Sequence, residues 1–388
     1  MKEGWTYKRL GDICTIERGG SPRPIDAFIT TEDKGFNWIK IGDAVEGSKY
    51  ISSTKEKIKP EGLKKTRFVH KGDFILSNSM SFGKPYILNI DGCIHDGWLV
   101  IHDENDTFDK SFLYYLLGSP NMYREFKRLA VGGVVNNLNS KVVRDVIVPV
   151  PPLQEQKRIV AELDLLTEII DKQKQQLNEL NTLAQSIFYD MFGNPQTDER
   201  GWNMGKLSSI CVSISDGSHN PPKGGKKSDY LMLSSKNIKD GVLSLEEPRY
   251  LSKDEFSLEN KRTNVKKGDI LLTIVGTIGR CCLFDSSKNI VFQRSVAILK
   301  PNDTTNNLFL MYQMIMLRMV FENEAKGVAQ KGIYLKQLGN IMVIVPPKGL
   351  QDSFAQKIQA IESQKESINR SLAESQKLFD YTMDKYFG

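Results

Sequence analysis

The sequence predicts two tandem copies of a mixed α+β (α/β) globule, each followed by a long helix, with the two helices paired as an antiparallel coiled coil. Three observations carry this. A strand–proline–helix junction occurs twice, as "VIVPVPPLQEQKRIVAEL" from Val146 to Leu163 and as "IMVIVPPKGLQDSFAQKI" from Ile341 to Ile358. The second half of the chain restates the first at a nearly constant offset. Each copy ends in a stretch whose apolar residues recur by alternating threes and fours, the spacing of a coiled-coil seam.

The repeat runs element by element. "WTYKRLGDICTI" from Trp5 returns as "WNMGKLSSICVSI" from Trp202, and "ERGGSPRP" (Glu17 to Pro24) as "SDGSHNPP" (Ser215 to Pro222). "KGDFILSNSMSFGKPYIL" from Lys71 returns as "KGDILLTIVGTIGRCCLF" from Lys267, and "YDMFG" ending at Gly193 as "DKYFG" ending at Gly388. Order and spacing persist where identity is low, which marks duplication of one large unit and not a solenoid of small ones. Within each copy, short β-rich runs such as "WLVIHD" and "DILLTIVG" are punctuated by Gly, Pro, Asn and Ser, as strands joined by turns are. "KSFLYYLLGS" and "NMYREFKRLA" predict short helices. The expected segments are 1–150 for the first globule, 151–193 for the central helix, 194–347 for the second globule and 348–388 for the final helix.

The first seam runs Ile159, Leu163, Leu166, Ile170, Gln173, Leu177, Leu180, Ala184, Ile187, Met191; only Gln173 breaks it. The second runs Phe354, Ile358, Ile361, Lys365, Ile368, Leu372, Ser375, Phe379, Thr382, Tyr386, with polar interruptions at Lys365, Ser375 and Thr382. Neither stretch has an interior proline. Each helix should span roughly 35 to 40 residues, or about 55 Å. A strict seam is narrower than the stripe a helix buries on a globule, so the two are expected to pair with each other. Antiparallel pairing would relate the globules by a pseudo-twofold axis.

Composition narrows the class. The chain has 388 residues, enough for two cores, and its 40% hydrophobic and 26% charged content is that of ordinary globular protein. There is no apolar run of membrane-spanning length and no signal-peptide pattern at the N-terminus. Five cysteines without a paired framework suit a reducing cytoplasm. A net charge of +6 permits an anionic partner without requiring one.

The order globule, "PPLQEQKRIVAEL" helix, globule, helix resembles the specificity subunit of type I restriction–modification systems. The phrases "NLNSKVVRDVIVPVPPLQEQKRI" (Asn137 to Ile159), "DGSHNPP" (Asp216 to Pro222) and "KKGDILLTIVGTIGR" (Lys266 to Arg280) carry the resemblance, which covers the whole chain. "PPKGLQDSF" in the second copy departs from the "PPLQEQ" pattern. The resemblance implies that each globule is a target-recognition domain reading one half of a bipartite double-stranded DNA sequence. It implies that the paired helices set the gap and dock two modification subunits, which methylate adenine with S-adenosylmethionine. Restriction subunits driven by ATP with Mg would join indirectly. No cofactor, metal site or catalytic residue is expected in this chain.

The residues themselves offer one rival chemistry. "NPPK" from Asn220 to Lys223 is similar to the Asn-Pro-Pro-aromatic loop that grips a flipped adenine in DNA adenine methyltransferases. Here Lys223 replaces the aromatic on which the base would stack, and no glycine-rich strand–turn–helix precedes it to hold a cofactor. His70, His95, His102 and His219 lack metal-ligand spacing. Asp73 and Asp269, in matched "KGD" turns, read as strand-initiating turn residues. A coiled-coil scaffold bridging two proteins without DNA is the other alternative.

For DNA contact the matched loops are the candidates. Ser21 and Arg23 lie in the first Gly/Pro loop, and Ser218, His219, Asn220 and Lys223 in its repeat; such side chains serve base edges and phosphates. Lys84 and Arg280 follow equivalent glycine turns, where a cation suits phosphate. Asn136, Asn137, Gln330 and Lys331 precede the final strand of each globule.

Overall fold

The computed structural model describes residues 4–45, 47–78, 83–130, 138–325 and 332–388. The candidates Asn136, Asn137, Gln330 and Lys331 lie outside the described residues. The chain divides into two compact units, Met1–Gln173 with Ser371–Gly388, and Lys174–Arg370. Each unit therefore takes part of both long helices.

In the first unit, the central five-stranded sheet has the order Thr15–Arg18, Trp98–His102, Phe74–Ser77, Pro85–Leu88, Tyr50–Ile51. Strand Trp98–His102, second in this order, is buried along almost its whole length, and alternate residues serve different cores. Leu99 and Ile101 join the core beneath the helices, whereas Trp98 and Val100 join the core facing a second five-stranded sheet. The period of two is that of strand side chains, and coverage on both faces explains why the run is continuously apolar. Three helices, α1 (Lys110–Leu117), α2 (Pro120–Ala130) and α3 (Ser140–Asp145), follow in sequence. Strand Thr6–Arg9 then pairs antiparallel with Ile147–Val150, joining the globule's beginning to its end just before helix α4 (Leu153–Phe192).

The second unit repeats this plan with a four-stranded sheet ordered Cys211–Asp216, Val296–Pro301, Ile270–Thr273, Cys281–Leu283. Ala297 and Leu299 point to the helical core, and Val296 and Ile298 to the opposite one. Its helices are α5 (Lys253–Thr263), α6 (Asn307–Met316), α7 (Arg318–Glu324), α8 (Leu335–Asn340) and α9 (Lys348–Phe387). Strand Met204–Lys206 pairs with Met342–Ile344 before α9 begins, as its counterpart does before α4.

Both long helices have 40 residues. In the first unit the start of α4 meets the end of α9: Tyr386 donates from its hydroxyl to Glu162 Oε2 at 2.7 Å, and Phe387 packs on Phe112 of α1 with ring centroids 5.4 Å apart. Toward the middle, Gln173 donates to Ser371 Oγ at 2.8 Å. In the second unit the end of α4 meets the start of α9, with Phe188 and Phe354 centroids 5.5 Å apart. The helices are thus antiparallel. Seam residues Ile159, Leu163, Leu166, Ile170, Ile358 and Ile361 are buried, and Leu177, Leu180, Ile187, Ile368, Leu372 and Phe379 half-buried. At each C-terminal end the buried stripe broadens beyond the seam, to Phe188 and Phe192 in α4 and to Met383 and Phe387 in α9. Each helix leaves from its own copy's globule and finishes in the core of the other copy's.

Two of the polar interruptions, Gln173 and Lys365, have partners. Lys365 is buried, and its ammonium lies 2.8 Å from Glu362 Oε1, which also accepts the Tyr312 hydroxyl at 2.6 Å. The first unit has the matching arrangement: Tyr115 donates to Asp164 Oδ1 at 2.5 Å, and Lys49 pairs with the same oxygen at 2.6 Å. There the cation comes from the globule instead of the helix.

A buried glutamine fixes how each long helix leaves its globule. Gln156 Oε1 accepts from the Asp109 backbone N–H at 2.8 Å, while its amide donates to Thr107 O and Pro151 O, each at 2.9 Å. Asp109 is the N-cap of α1, accepting from Ser111 and Phe112 N–H. In the second copy Gln351 accepts from Asn306 N–H at 2.8 Å and donates to Pro346 O at 2.8 Å, and Asn306 caps α6. The departure of "PPKGLQ" from "PPLQEQ" therefore leaves the junction intact, because the glutamine keeps its place relative to the proline pair. Gln156→Leu strands one donor and two acceptors in a dry site. It is expected to destabilise the first unit by about 1–3 kcal/mol, read as a lowered urea midpoint at unchanged slope. A midpoint equal to wild type would show that the clamp contributes nothing.

Candidate nucleic-acid interface

The two Gly/Pro loops are held by the same set of backbone bonds. Gly19 N–H donates to Trp98 O at 3.0 Å and Gly20 N–H to Ile94 O at 3.2 Å; Gly217 N–H donates to Val296 O at 3.2 Å and Ser218 N–H to Phe292 O at 2.8 Å. A Cβ on Gly19 would sit 2.2 Å from His95 O, and one on Gly217 2.0 Å from Phe292 O. Only glycine allows so close an approach. The loop is thereby pinned beside a turn that the repeat also matches, "IHDGWLVI" from Ile94 and "FQRSVAIL" from Phe292. Trp98 N–H closes the first turn on His95 O at 3.1 Å, and Val296 N–H the second on Gln293 O at 3.0 Å.

The backbone is shared, but the side chains are not. In the first unit Ser21 donates to Asp96 Oδ1 at 2.6 Å, and Arg18 donates to Asp96 O at 2.9 Å. The Ser21 hydroxyl holds the Asp96 carboxyl below the usual carboxylate range, with His95 and Arg18 helping. Burial pushes the neighbouring His95 imidazole down. Arg23 is exposed, as is Lys84 on its glycine turn.

In the second unit Ser218 is buried, and its backbone carbonyl accepts from Arg294 N–H at 2.9 Å. Asp216, also buried, bonds Arg262 Nη2 at 2.6 Å and His219 Nε2 at 2.7 Å. Asn220 and Lys223 are exposed, and so are Lys226 and Lys227 further along the loop. Arg249 braces the loop by donating to Pro222 O at 2.5 Å. Arg280 lines a surface cleft of about 390 Å³ with Gly276, Thr277, Ile278, Arg318 and Glu322.

Ser21 and Ser218 thus serve the loop's own geometry, while Arg23, Asn220 and Lys223 face solvent. Residues not proposed for DNA contact from the sequence, His95 and Asp96 with Gln293 and Arg294, border the loops. Their signal was available, since both pairs stand at matched positions just before a matched strand.

Among the described residues no group of three or more His, Cys, Asp or Glu side chains is placed to hold a metal. All five cysteines are free and buried, and burial pushes the Cys14, Cys211 and Cys282 thiols up to about 12, which leaves them poor nucleophiles. Asp73 and Asp269 accept the backbone N–H of His70 and Lys266, each at 2.8 Å, within their turns.

Residues 2–182 and 199–375 match the type I restriction modification DNA specificity domain, one match for each copy of the repeat. The chain belongs to this family. Its function is accordingly DNA sequence specificity within a type I restriction–modification system. The specificity subunit of the EcoBI type I restriction enzyme of Escherichia coli is 25% identical, over 100% of this chain and 86% of that protein. The MjaVIII specificity subunit of Methanocaldococcus jannaschii is 22% identical over 94% of this chain and 87% of its own length. Among solved structures, the type I S subunit of M. genitalium superposes with a TM-score of 0.55 at 15% identity, covering 99% of this chain and 96% of that one. A chain solved in a study of complex assembly and conformational transition of the type I R-M system gives 0.56 at 20%, covering 100% and 98%. These two likenesses speak for the fold alone. Among the described residues, this specificity-family chain has no helix long and apolar enough to cross a membrane.

Proposed function

We propose that each unit reads one half of a bipartite double-stranded DNA target, and that the paired helices set the gap between halves. In this reading the helices also dock two modification subunits, which methylate adenine using S-adenosylmethionine. Restriction subunits using ATP and Mg complete the assembly in the cytoplasm, and no bond is made or broken by this chain. One observation supports the division of labour above the rest: two copies of one loop-and-turn backbone carry different polar side chains. That is what two half-sites of different sequence require, because backbone geometry sets the approach to the groove and side chains set the bases accepted.

The test is to map methylated adenines in the host with and without this gene, and then with residues 1–150 exchanged for those of a relative. The exchange should replace one half of the recognised sequence and leave the other. The incoming globule must still accept Ile159 and Leu163 of α4 and Met383, Tyr386 and Phe387 of α9, which belong to the first core. A swap that alters both halves would show that the units do not read independently. A methylation pattern indifferent to the gene would favour a scaffold without DNA.

A further inference from the structure

We propose that the Gln293–Arg294 turn reads a guanine edge in the half-site of the second unit, an assignment that rests on the recognition function just proposed. The turn is rigid. Gln293 N–H donates to Leu233 O at 2.9 Å, Arg294 N–H to Ser218 O at 2.9 Å and Ile274 N–H to Ser295 O at 3.0 Å. Ser295 Oγ accepts from Ser235 N–H at 3.0 Å. The turn's backbone groups are engaged within the unit, so its shape does not depend on what Arg294 contacts.

The side chains are uncommitted. Gln293 is half-buried and Arg294 exposed, and neither makes a side-chain hydrogen bond or ion pair with the described residues. Arg249, Arg262 and Arg318 are occupied, with Pro222 O, Asp216 and Asp240 respectively. A guanidinium on a pinned turn, beside exposed His219 and Asn220, is arranged for bidentate recognition of guanine O6 and N7. Phosphate needs no such pinning. Lys223, Lys226 and Lys227 offer flexible cations on the adjoining loop for that purpose.

The first unit sharpens the contrast. At the position matching Arg294 it carries Asp96, an acceptor held by Ser21. One turn thus presents donors where its twin presents a carboxylate.

The experiment uses the chain assembled with its modification partner and duplexes carrying every single-base change across the second unit's half-site. Methylation of each duplex is measured for wild type, Arg294→Ala and Arg294→Lys. We expect both variants to lose about tenfold or more of the discrimination for guanine at one position, with all other positions and the first unit's half unchanged. The lysine variant keeps the charge and so separates base reading from phosphate contact. Full discrimination in both variants would overturn the assignment, and so would uniformly weaker binding with a salt slope reduced by about one, which marks a phosphate contact. A half-site without guanine would overturn it too. If the wild-type assembly shows no sequence preference, the recognition function itself fails and this assignment with it. Thermal unfolding alongside checks that substituting the exposed Arg294 leaves the fold unchanged.

Discussion

Inserting one heptad into both long helices, after Gln176 in α4 and after Arg370 in α9, is expected to move methylation to targets with a longer gap while both half-sequences stay the same. Seven residues add about 10 Å of helix, or about three base pairs at 3.4 Å each. A whole heptad keeps the seam facing its partner, whereas inserting one or two residues would rotate it away by about 100° per residue. The insertion must be double for a reason that the packing supplies. The end of α4 is built into the second unit's core through Ala184, Phe188 and Phe192, and the end of α9 into the first unit's core through Met383, Tyr386 and Phe387. Lengthening α4 alone would leave one of these ends unable to reach its core. The single insertion should therefore give unstable protein, and the double insertion a folded one with a new gap. Methylation sequencing reads the gap directly. Full activity at the original gap in the double variant would sink the spacer role.

Phe188→Ala should be among the most damaging single substitutions in the chain, costing about 3–5 kcal/mol. Phe188 is fully buried, and its ring lies 5.0 Å from Phe192, 5.7 Å from Phe309 and 5.5 Å from Phe354. The substitution leaves a cavity that three rigid rings cannot close. The loss should appear in one place only: the denaturation of the second unit shifts to lower denaturant, and that of the first unit does not. Phe188→Leu, which restores most of the volume, should recover much of the loss. A shift in the first unit's transition would contradict the division of α4 between the two cores.

Much of this was legible beforehand. The duplication, the 40-residue helices and their seam residues follow from local regularities, because a helix imposes its period on whichever residues line its buried face. The doubled glycine loop was visible as well, since Gly19 and Gly217 stand at matched positions and only glycine tolerates those approaches. Phe188, Phe192, Met383 and Phe387 were harder to see. They flank the seam instead of forming it, and nothing local says that a helix end will meet a second surface there. The His95–Asp96 and Gln293–Arg294 turns escaped for a similar reason. They became neighbours of the loops only through strand pairing across long separations, as Leu99 does with Arg18 and Ala297 with Asp216.

By itself, then, the sequence determined that there are two copies, that each carries a long helix, and which residues form the seam along it. These are consequences of covalent geometry and hydrophobic periodicity, and they act within a few turns of chain. The tertiary structure alone decided that α4 ends in the second core and α9 in the first. It likewise decided that Gln156 and Gln351 clamp the caps of α1 and α6, and that Arg294 stands exposed on a pinned turn beside Ser218. Such pairings join residues dozens to hundreds of positions apart. They are selected by burying apolar surface and satisfying polar groups over a whole unit at once, and no local stretch of sequence encodes that balance.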